Sequence, residues 1–252
     1  MVRLHTQEDV FSPRHWPSWL MFCFAAGAVN GAAVMACDRL VTHVTGTVTR
    51  LGLELMRLTI LLDFVLVLVC FVVGAMLAGL LINGRIHQQK RPLFSAPLLI
   101  AAVVTAVMAI LGHVGLLGEF GGAVDEPADF VFLCALSFAM GLQNAAVATS
   151  TGQLVRTTHL TGPATDLGVS LAELFYARGD AHQTARRHAA LRFGKIIAYA
   201  TGAAVALPLS YAYTYLSLLL PAAVIVAATL LSIARKEAKL VMPPAGEANA
   251  AP

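Results

Sequence analysis

The chain has 252 residues, of which 58% are apolar and only 12% are charged, and its mean hydropathy is +0.75. Soluble domains carry about 25% charged residues, so this composition excludes an ordinary soluble domain and indicates an integral membrane protein. The formal net charge of +3 is too small to indicate nucleic-acid binding. The four cysteines form no CxxC pair and lie near no histidine at ligand spacing, so neither a metal site nor a cofactor is expected.

Six segments are predicted to cross a bilayer, because each offers close to the roughly 20 apolar residues that a spanning helix needs. In chain order they are 18–37, 60–82, 96–117, 129–149, 193–210 and 212–233. The 83–95 loop carries three basic residues, whereas the 118–128 loop carries three acidic residues and no basic one. Because basic loops stay on the cytoplasmic side, both termini are predicted to be cytoplasmic.

A ten-residue motif occurs twice, at 43–52 and at 159–168, with an offset of 116 residues (159 minus 43). The two copies share the pairs His43/His159, Thr45/Thr161, Gly46/Gly162, Thr49/Thr165, Leu51/Leu167 and Gly52/Gly168. A second echo lies upstream, where the segment from Phe24 to Ala32 resembles the segment from Phe138 to Ala146 at an offset of 114. Gly74 and Gly202 weakly extend the correspondence. The chain is therefore predicted to be a duplicated half.

Each predicted half contains three spans, and an odd number of spans inserts the second half upside down, as in many transporters. The predicted fold is an all-α polytopic membrane protein with six transmembrane helices in two inverted three-helix repeats. The predicted units are a cytoplasmic segment at 1–17, a first repeat at 18–117, an external loop at 118–128, a second repeat at 129–235 and a disordered cytoplasmic tail at 236–252.

The two motif segments, about 40–58 and 157–175, are too polar for ordinary spans and too apolar for ordinary loops. Irregular backbone at membrane depth is tolerated only where protein or a cavity surrounds it. We expect each to be re-entrant or a broken helix, with the two entering from opposite faces and meeting near the midplane. If both instead cross the membrane, each half has four crossings and the repeats become parallel.

The side chains of these motifs are the candidate solute-binding groups, because polar groups inside membranes are costly and tend to be functional. The predicted binding residues are His43, Thr45, Gly46, Thr49, His159, Thr161, Gly162, Thr165 and the span residues Asn30 and Asn144. Arg50 and Asp166 occupy the same motif position with opposite charge, and we predict that they form a gating ion pair. Each group also has a structural alternative, such as a bond to a backbone carbonyl. Lys195 lies near a span end, where a lysine side chain can snorkel, and it is assigned no function.

The motif Thr157-Thr158-His159-Leu160-Thr161-Gly162, followed by Thr165-Asp166-Leu167-Gly168, resembles the second signature of the YoaK-like family of bacterial integral membrane proteins. His43-Val44-Thr45-Gly46 with Leu51-Gly52 is similar to the first signature, and Gly141-Leu142-Gln143-Asn144-Ala145 fits the fourth span. One departure is Thr47, where the family commonly has Asn. The resemblance covers about residues 18–235 and implies a multi-span helical protein of the bacterial inner membrane and a small-molecule transporter group.

The sequence favours a transporter or channel for a small polar or anionic solute, with paired His-x-Thr-Gly motifs at a central site. The alternative is an intramembrane enzyme acting on a lipid phosphate, although the chain contains no GxSxG or HExxH motif and no catalytic residue is assigned. The expected partners are the solute and the lipid bilayer, with further copies of this chain as an open alternative.

Overall fold

The structure is a computed structural model that describes residues 7–42, 44–53, 58–122, 124 and 127–234. Within these residues the chain is helical and contains no strand. Five helical stretches of the described chain are long and apolar enough to cross a membrane: Trp16–Cys37, Phe64–His87, Ala96–His113, Pro127–Ser150 and Gly179–Ser232. A helix pairs its backbone groups within one segment, which is why an apolar spanning segment folds this way. The predicted class, a helical polytopic membrane protein, is confirmed at this level.

Ten α-helices are described, and two of them are continued by tighter or wider turns. They are α1 Gln7–Val10, α2 Trp16–Cys37, α3 Val44–Leu53, α4 Leu58–Gly79, α5 Arg85–His87, α6 Ala96–His113, α7 Pro127–Ser150, α8 Thr161–Tyr176, α9 Gly179–Tyr213 and α10 Leu219–Ala234. A π-helical turn at Leu80–Gly84 joins α4 to α5, and a 3₁₀ turn at Thr214–Leu218 joins α9 to α10.

The predicted spans at 18–37, 96–117 and 129–149 agree with α2, α6 and α7 to within a few residues. The predicted spans at 193–210 and 212–233 differ from α9 and α10 in where they begin. Helix α9 begins at Gly179, 14 residues before the predicted span at 193, because the polar segment in front of that span is also helical. It ends at Tyr213, and the next residue, Thr214, has a positive φ of 48°. The fifth candidate stretch, 54 residues long, therefore contains two helices separated by a turn.

Helices α2 and α7 run in opposite directions. The side-chain Nε2 of Gln143, near the end of α7, donates to the Phe22 carbonyl near the start of α2 at 2.9 Å. At the other end, the Gly121 N–H, just before α7, donates to the Ala36 carbonyl at the end of α2 at 2.8 Å. The first helix of one sequence half therefore lies antiparallel to the first helix of the other.

The chain also reverses after α9. The Tyr215 hydroxyl donates to the Gly118 carbonyl at 2.8 Å, beyond the end of α6. Thr229, near the end of α10, lines a cavity with Trp19 at the start of α2 and Ser95 at the start of α6. Helix α10 therefore returns toward the end of the bundle from which α2 begins.

Four of the described glycines lie directly against the backbone of a neighbouring long helix, and they fall into two matching pairs. A Cβ on Gly27 would overlap the Tyr199 carbonyl of α9, and a Cβ on Gly141 would overlap the Phe71 carbonyl of α4. These contacts are related by offsets of 114 (141 minus 27) and 128 (199 minus 71). Gly202 against the Phe24 carbonyl and Gly74 against the Phe138 carbonyl repeat the same relation. The first helix of each half thus packs against the second long helix of the other half, through small residues that let two backbones approach.

Candidate functional site

The first motif is preceded by unwound backbone that Asn30 holds in place. Helix α2 ends at Cys37, and Asp38 follows with a left-handed φ of 51°. The Asn30 side-chain Oδ1 accepts hydrogen bonds from the backbone N–H groups of Val41 and Thr42, at 3.0 and 3.2 Å. An amide oxygen has two lone pairs, so one Asn side chain satisfies two donors that the helix no longer pairs.

The second motif has the same arrangement. Helix α7 ends at Ser150, and the Asn144 Oδ1 accepts hydrogen bonds from the N–H groups of Thr157 and Thr158, at 2.9 and 3.3 Å. The donors correspond to Val41 and Thr42 at the motif offset of 116 (157 minus 41). We call each of these two arrangements an asparagine clamp. Both clamps place unwound chain next to the predicted motif.

The two clamps differ in the polar group beside them. In the first, the Asn30 Nδ2 donates to the Tyr199 hydroxyl at 2.6 Å, and that hydroxyl lies 3.1 Å from the Thr42 Oγ1. In the second clamp, the Gln143 Nε2 donates a hydrogen bond to the Thr157 Oγ1 at 3.3 Å. Gln143 is fully buried, and its Oε1 has no hydrogen-bond partner among the described residues.

Short helices follow both clamps, and their threonines bond to their own backbone. The Thr49 Oγ1 donates to the Thr45 carbonyl at 3.0 Å, and the Thr165 Oγ1 donates to the Thr161 carbonyl at 3.1 Å. This is the structural alternative for Thr49 and Thr165. It occurs at equivalent positions of the two motifs, as the clamps do.

His159 bonds to the start of α8, because its Nε2 accepts the Gly162 N–H at 3.2 Å. This bond satisfies one of the N–H groups that the first turn of a helix leaves unpaired. It also requires Nε2 to be unprotonated. His43 lies outside the described residues, so its equivalent role stays a prediction.

The predicted binding side chains of the motifs are largely exposed on the protein surface. Thr45, Gly46 and Thr49 are exposed on α3, which packs against α4, while Thr161 and Thr165 are exposed on α8, which packs against α9. The two motif helices thus lie against different partners. A shared central site formed by these side chains stays a prediction.

Asp166 has a partner other than the predicted one. Its Oδ2 lies 3.6 Å from the Arg192 Nη2, and the Arg192 Nη1 donates to the Asp166 carbonyl at 3.0 Å. The Arg50 side chain lies outside the described residues, so a gating pair between Arg50 and Asp166 stays a prediction. The side chain that holds Asp166 in this structure comes from α9.

Three of the motif glycines, Gly52, Gly162 and Gly168, are not close-packing positions. A Cβ on Gly52 or Gly168 would meet nothing within 4 Å, and a Cβ on Gly162 would meet only the His159 ring. The close backbone contacts occur instead on the long helices, at the matched pairs that include Gly27 and Gly141.

Two polar residues of this region carry no sequence prediction. Tyr199 joins the first clamp, and the buried Ser137 Oγ donates to the Val67 carbonyl at 2.7 Å, with the Val41 carbonyl 3.2 Å away. The sequence does contain a signal for Tyr199. The offset of 128 that relates Gly74 to Gly202 also pairs Tyr199 with Phe71, so a polar residue in the second half stands where the first half has an apolar one.

The fold and the two clamps define a polytopic helical membrane protein with a duplicated polar motif. The chain belongs to the family described as "Protein of unknown function (DUF1275)", whose sequence profile matches residues 18–231. The predicted family resemblance is therefore confirmed. No curated protein and no solved structure matches the chain. The family supplies no substrate, so function depends on the arrangement described above.

Proposed function

We propose that the protein is a transporter or channel for a small polar or anionic solute, with its two halves arranged as inverted repeats. The observation that carries the proposal is the matched pair of asparagine clamps. Each clamp secures a break between a long helix and a short polar one. Discontinuous helices of this kind form the solute sites of many secondary transporters.

The inverted arrangement is supported by helix direction and by packing. Helices α2 and α7 are equivalent in sequence and antiparallel in space, so their clamps open toward opposite ends of the bundle. The matched glycine contacts also cross between the halves: α2 of the first half packs on α9 of the second, and α7 of the second half packs on α4 of the first. These are the relations expected of a pseudo-two-fold axis in the membrane plane.

Six crossings follow if α9 and α10 each span the membrane. Both helices reach the end of the bundle where α2 begins: Gly194 of α9 lies beside Leu20, and Thr229 of α10 lines a cavity with Trp19. The turn between them lies at the opposite end, where the Tyr215 hydroxyl meets Gly118. On this basis α2 begins and α10 ends on one side of the membrane, and the basic loops support the proposal that this side is cytoplasmic.

An anionic solute suits the starts of the short helices. The N-terminus of a helix carries a partial positive charge and unpaired N–H groups. Helix α3 begins directly after His43 and α8 begins two residues after His159. In this proposal the motif histidines and threonines bind the solute at these helix starts, in the bacterial inner membrane that the family resemblance implies.

Topology is tested by labelling single cysteines at the exposed positions Thr49 and Thr165, in a background without the four native cysteines. A membrane-impermeant thiol reagent is applied to intact cells and, in parallel, to inside-out vesicles. The two sites should react from opposite sides. Thr47, buried at 6% exposure in the same helix as Thr49, serves as the matched position that should react slowly. Labelling of Thr49→Cys and Thr165→Cys from the same side would contradict inverted repeats.

Transport is tested with purified protein in liposomes, by uptake of labelled phosphate, succinate and glycerol. The wild-type protein should carry at least one of them, and the double variant His43→Ala, His159→Ala should lose that flux. The control is His87→Ala, which removes an exposed imidazole outside both motifs. Unchanged flux in the double variant would remove the histidines from the solute path, and no flux of any probe by the wild type would contradict the proposed solute class.

A further inference from the structure

A small cavity with polar walls lies beside the second motif. It encloses about 130 Å³ between the start of α8, the middle of α9 and the segment that follows α7. Its polar lining consists of Gln153, Asp166, Arg192 and Lys195. Because ligand pockets for drug-sized molecules measure about 300–1,000 Å³, a space of this size suits only a small group.

Lys195 is the most unusual group in this cavity. Its side chain is only 3% exposed, so it is buried within the protein and does not snorkel to the span end. In the part of the chain that the structure describes, its Nζ makes no hydrogen bond. A cation that is largely removed from solvent is costly unless an anion or a hydrogen-bond acceptor lies near it. The cavity that Lys195 lines is a place where such an anion can bind.

Asp166 does not supply that partner fully, since Arg192 already engages it. Arg192 bonds to the Asp166 carbonyl, approaches its carboxylate at 3.6 Å and donates to the Ser170 hydroxyl. At the rim, the Arg156 Nη2 donates to the Gln153 Oε1 at 3.4 Å. Two cationic side chains that line the cavity, Lys195 and Arg192, thus share one lining carboxylate, that of Asp166.

The equivalent position in the other half of the chain holds no lysine. The offset of 128 that relates Gly74 to Gly202 pairs Lys195 with Val67 (195 minus 67). Val67 is also buried, at 8% exposure, and its carbonyl is contacted by Ser137. At offset 114 the counterpart of Ser137 is Cys23, which is an electrostatic neighbour of Lys195. The same packing position thus holds an apolar residue in one half and a cation in the other.

We propose that this cavity binds a small oxyanion, a carboxylate or phosphate group, through the Lys195 Nζ and the Arg192 guanidinium. Asp166 competes with the anion for both cations. The oxyanion is either a free solute or the phosphate of a lipid headgroup. The choice of an anionic ligand rests on the proposed function. The binding proposal is tested by binding and not by transport, so the binding proposal and the transport proposal can fail separately.

The test uses the full chain in nanodiscs, with binding followed by tryptophan fluorescence. Both tryptophans lie near the cavity end of α2, and Trp16 donates to the carbonyl of Phe11, which lines the cavity. In one arm the bilayer is phosphatidylcholine, and inorganic phosphate or succinate is titrated. In the other arm the bilayer contains phosphatidylglycerol, no anion is added, and the melting temperature is compared with that in phosphatidylcholine.

Lys195→Met keeps the length of the side chain and removes its charge, so it should weaken anion affinity at least about tenfold or abolish the phosphatidylglycerol effect. Asp166→Asn removes the competing carboxylate and should strengthen the same response, which a merely structural role would not produce. The control is Lys90→Met, which removes one charge from an exposed loop and should behave as wild type.

A response in the first arm identifies a free anion, and one in the second identifies a headgroup. If Lys195→Met responds like wild type in both arms, or if Asp166→Asn weakens the response, the proposal is overturned.

Discussion

The asparagine clamps make a sharp prediction about stability, because one side-chain oxygen in each satisfies two backbone donors. Asn144→Leu preserves side-chain size but leaves the N–H groups of Thr157 and Thr158 without that acceptor. An unsatisfied buried donor costs about 1–3 kcal/mol, so the variant should lose about 2–6 kcal/mol of unfolding free energy. Asn30→Leu should lose more, because Asn30 is 2% exposed whereas Asn144 is half-buried, and because its Nδ2 also bonds to Tyr199.

The assay is thermal unfolding in detergent combined with hydrogen exchange of backbone amides. A loss of this size should lower the melting temperature by about 4 °C or more. The exchange should accelerate locally: at 157–158 in Asn144→Leu, and at 41–42 in Asn30→Leu. The matched control is Asn83→Leu, in the π-helical turn after α4, because the Asn83 side chain makes no hydrogen bond within the described residues.

Two results would refute this reasoning. One is an Asn144→Leu protein that melts within about a degree of the Asn83→Leu control. The other is a loss of stability without faster exchange at the clamped amides, since the effect would then come from general packing. Asn144→Asp retains an acceptor oxygen at the same position, so it should protect the amides at 157–158 better than Asn144→Leu does.

Three further substitutions follow from the same contacts. Tyr199→Phe, which removes the hydroxyl of the first clamp, should lower stability by about 1–3 kcal/mol, whereas Tyr211→Phe at an exposed position should have no measurable effect in the same melting assay. Gly141→Ala should prevent tight packing of α7 on α4 and sharply reduce the yield of folded protein. Gly168→Ala, with open space around it, should be neutral or stabilise α8 by up to about 1 kcal/mol. Equal yields of the two variants would show that Gly141 is not needed for close packing of the two helices. Ser137→Ala, which removes the buried hydrogen bond to the Val67 carbonyl, should lower the unfolding free energy by about 1 kcal/mol, checked by denaturant titration.

The family, the membrane character and most helix positions could be predicted from the sequence. Apolar runs of this length fold as helices because lipid offers no partner for backbone groups, so local composition is sufficient. The duplication was also readable, since equivalent residues recur at nearly constant offsets. The limits of α9 could not be predicted in this way. Hydropathy separates the polar residues from 179 onward from the apolar residues that follow, although both lie on the same helix.

The roles of individual polar residues depended on tertiary contacts that no local pattern encodes. Asn30 and Asn144 were predicted from their repeated positions on the spans as solute ligands or as bonds between helices, and the structure shows their oxygens bonded to backbone 11 to 14 residues further along the chain. Asp166 meets Arg192, which is 26 residues away, and Tyr199 meets Asn30 across 169 residues. Lys195 looked like a residue at a span end because hydropathy measures only the neighbours in sequence. Its burial beside Arg192 and Asp166 arises from the packing of α8 on α9, and only the folded chain brings those charges together.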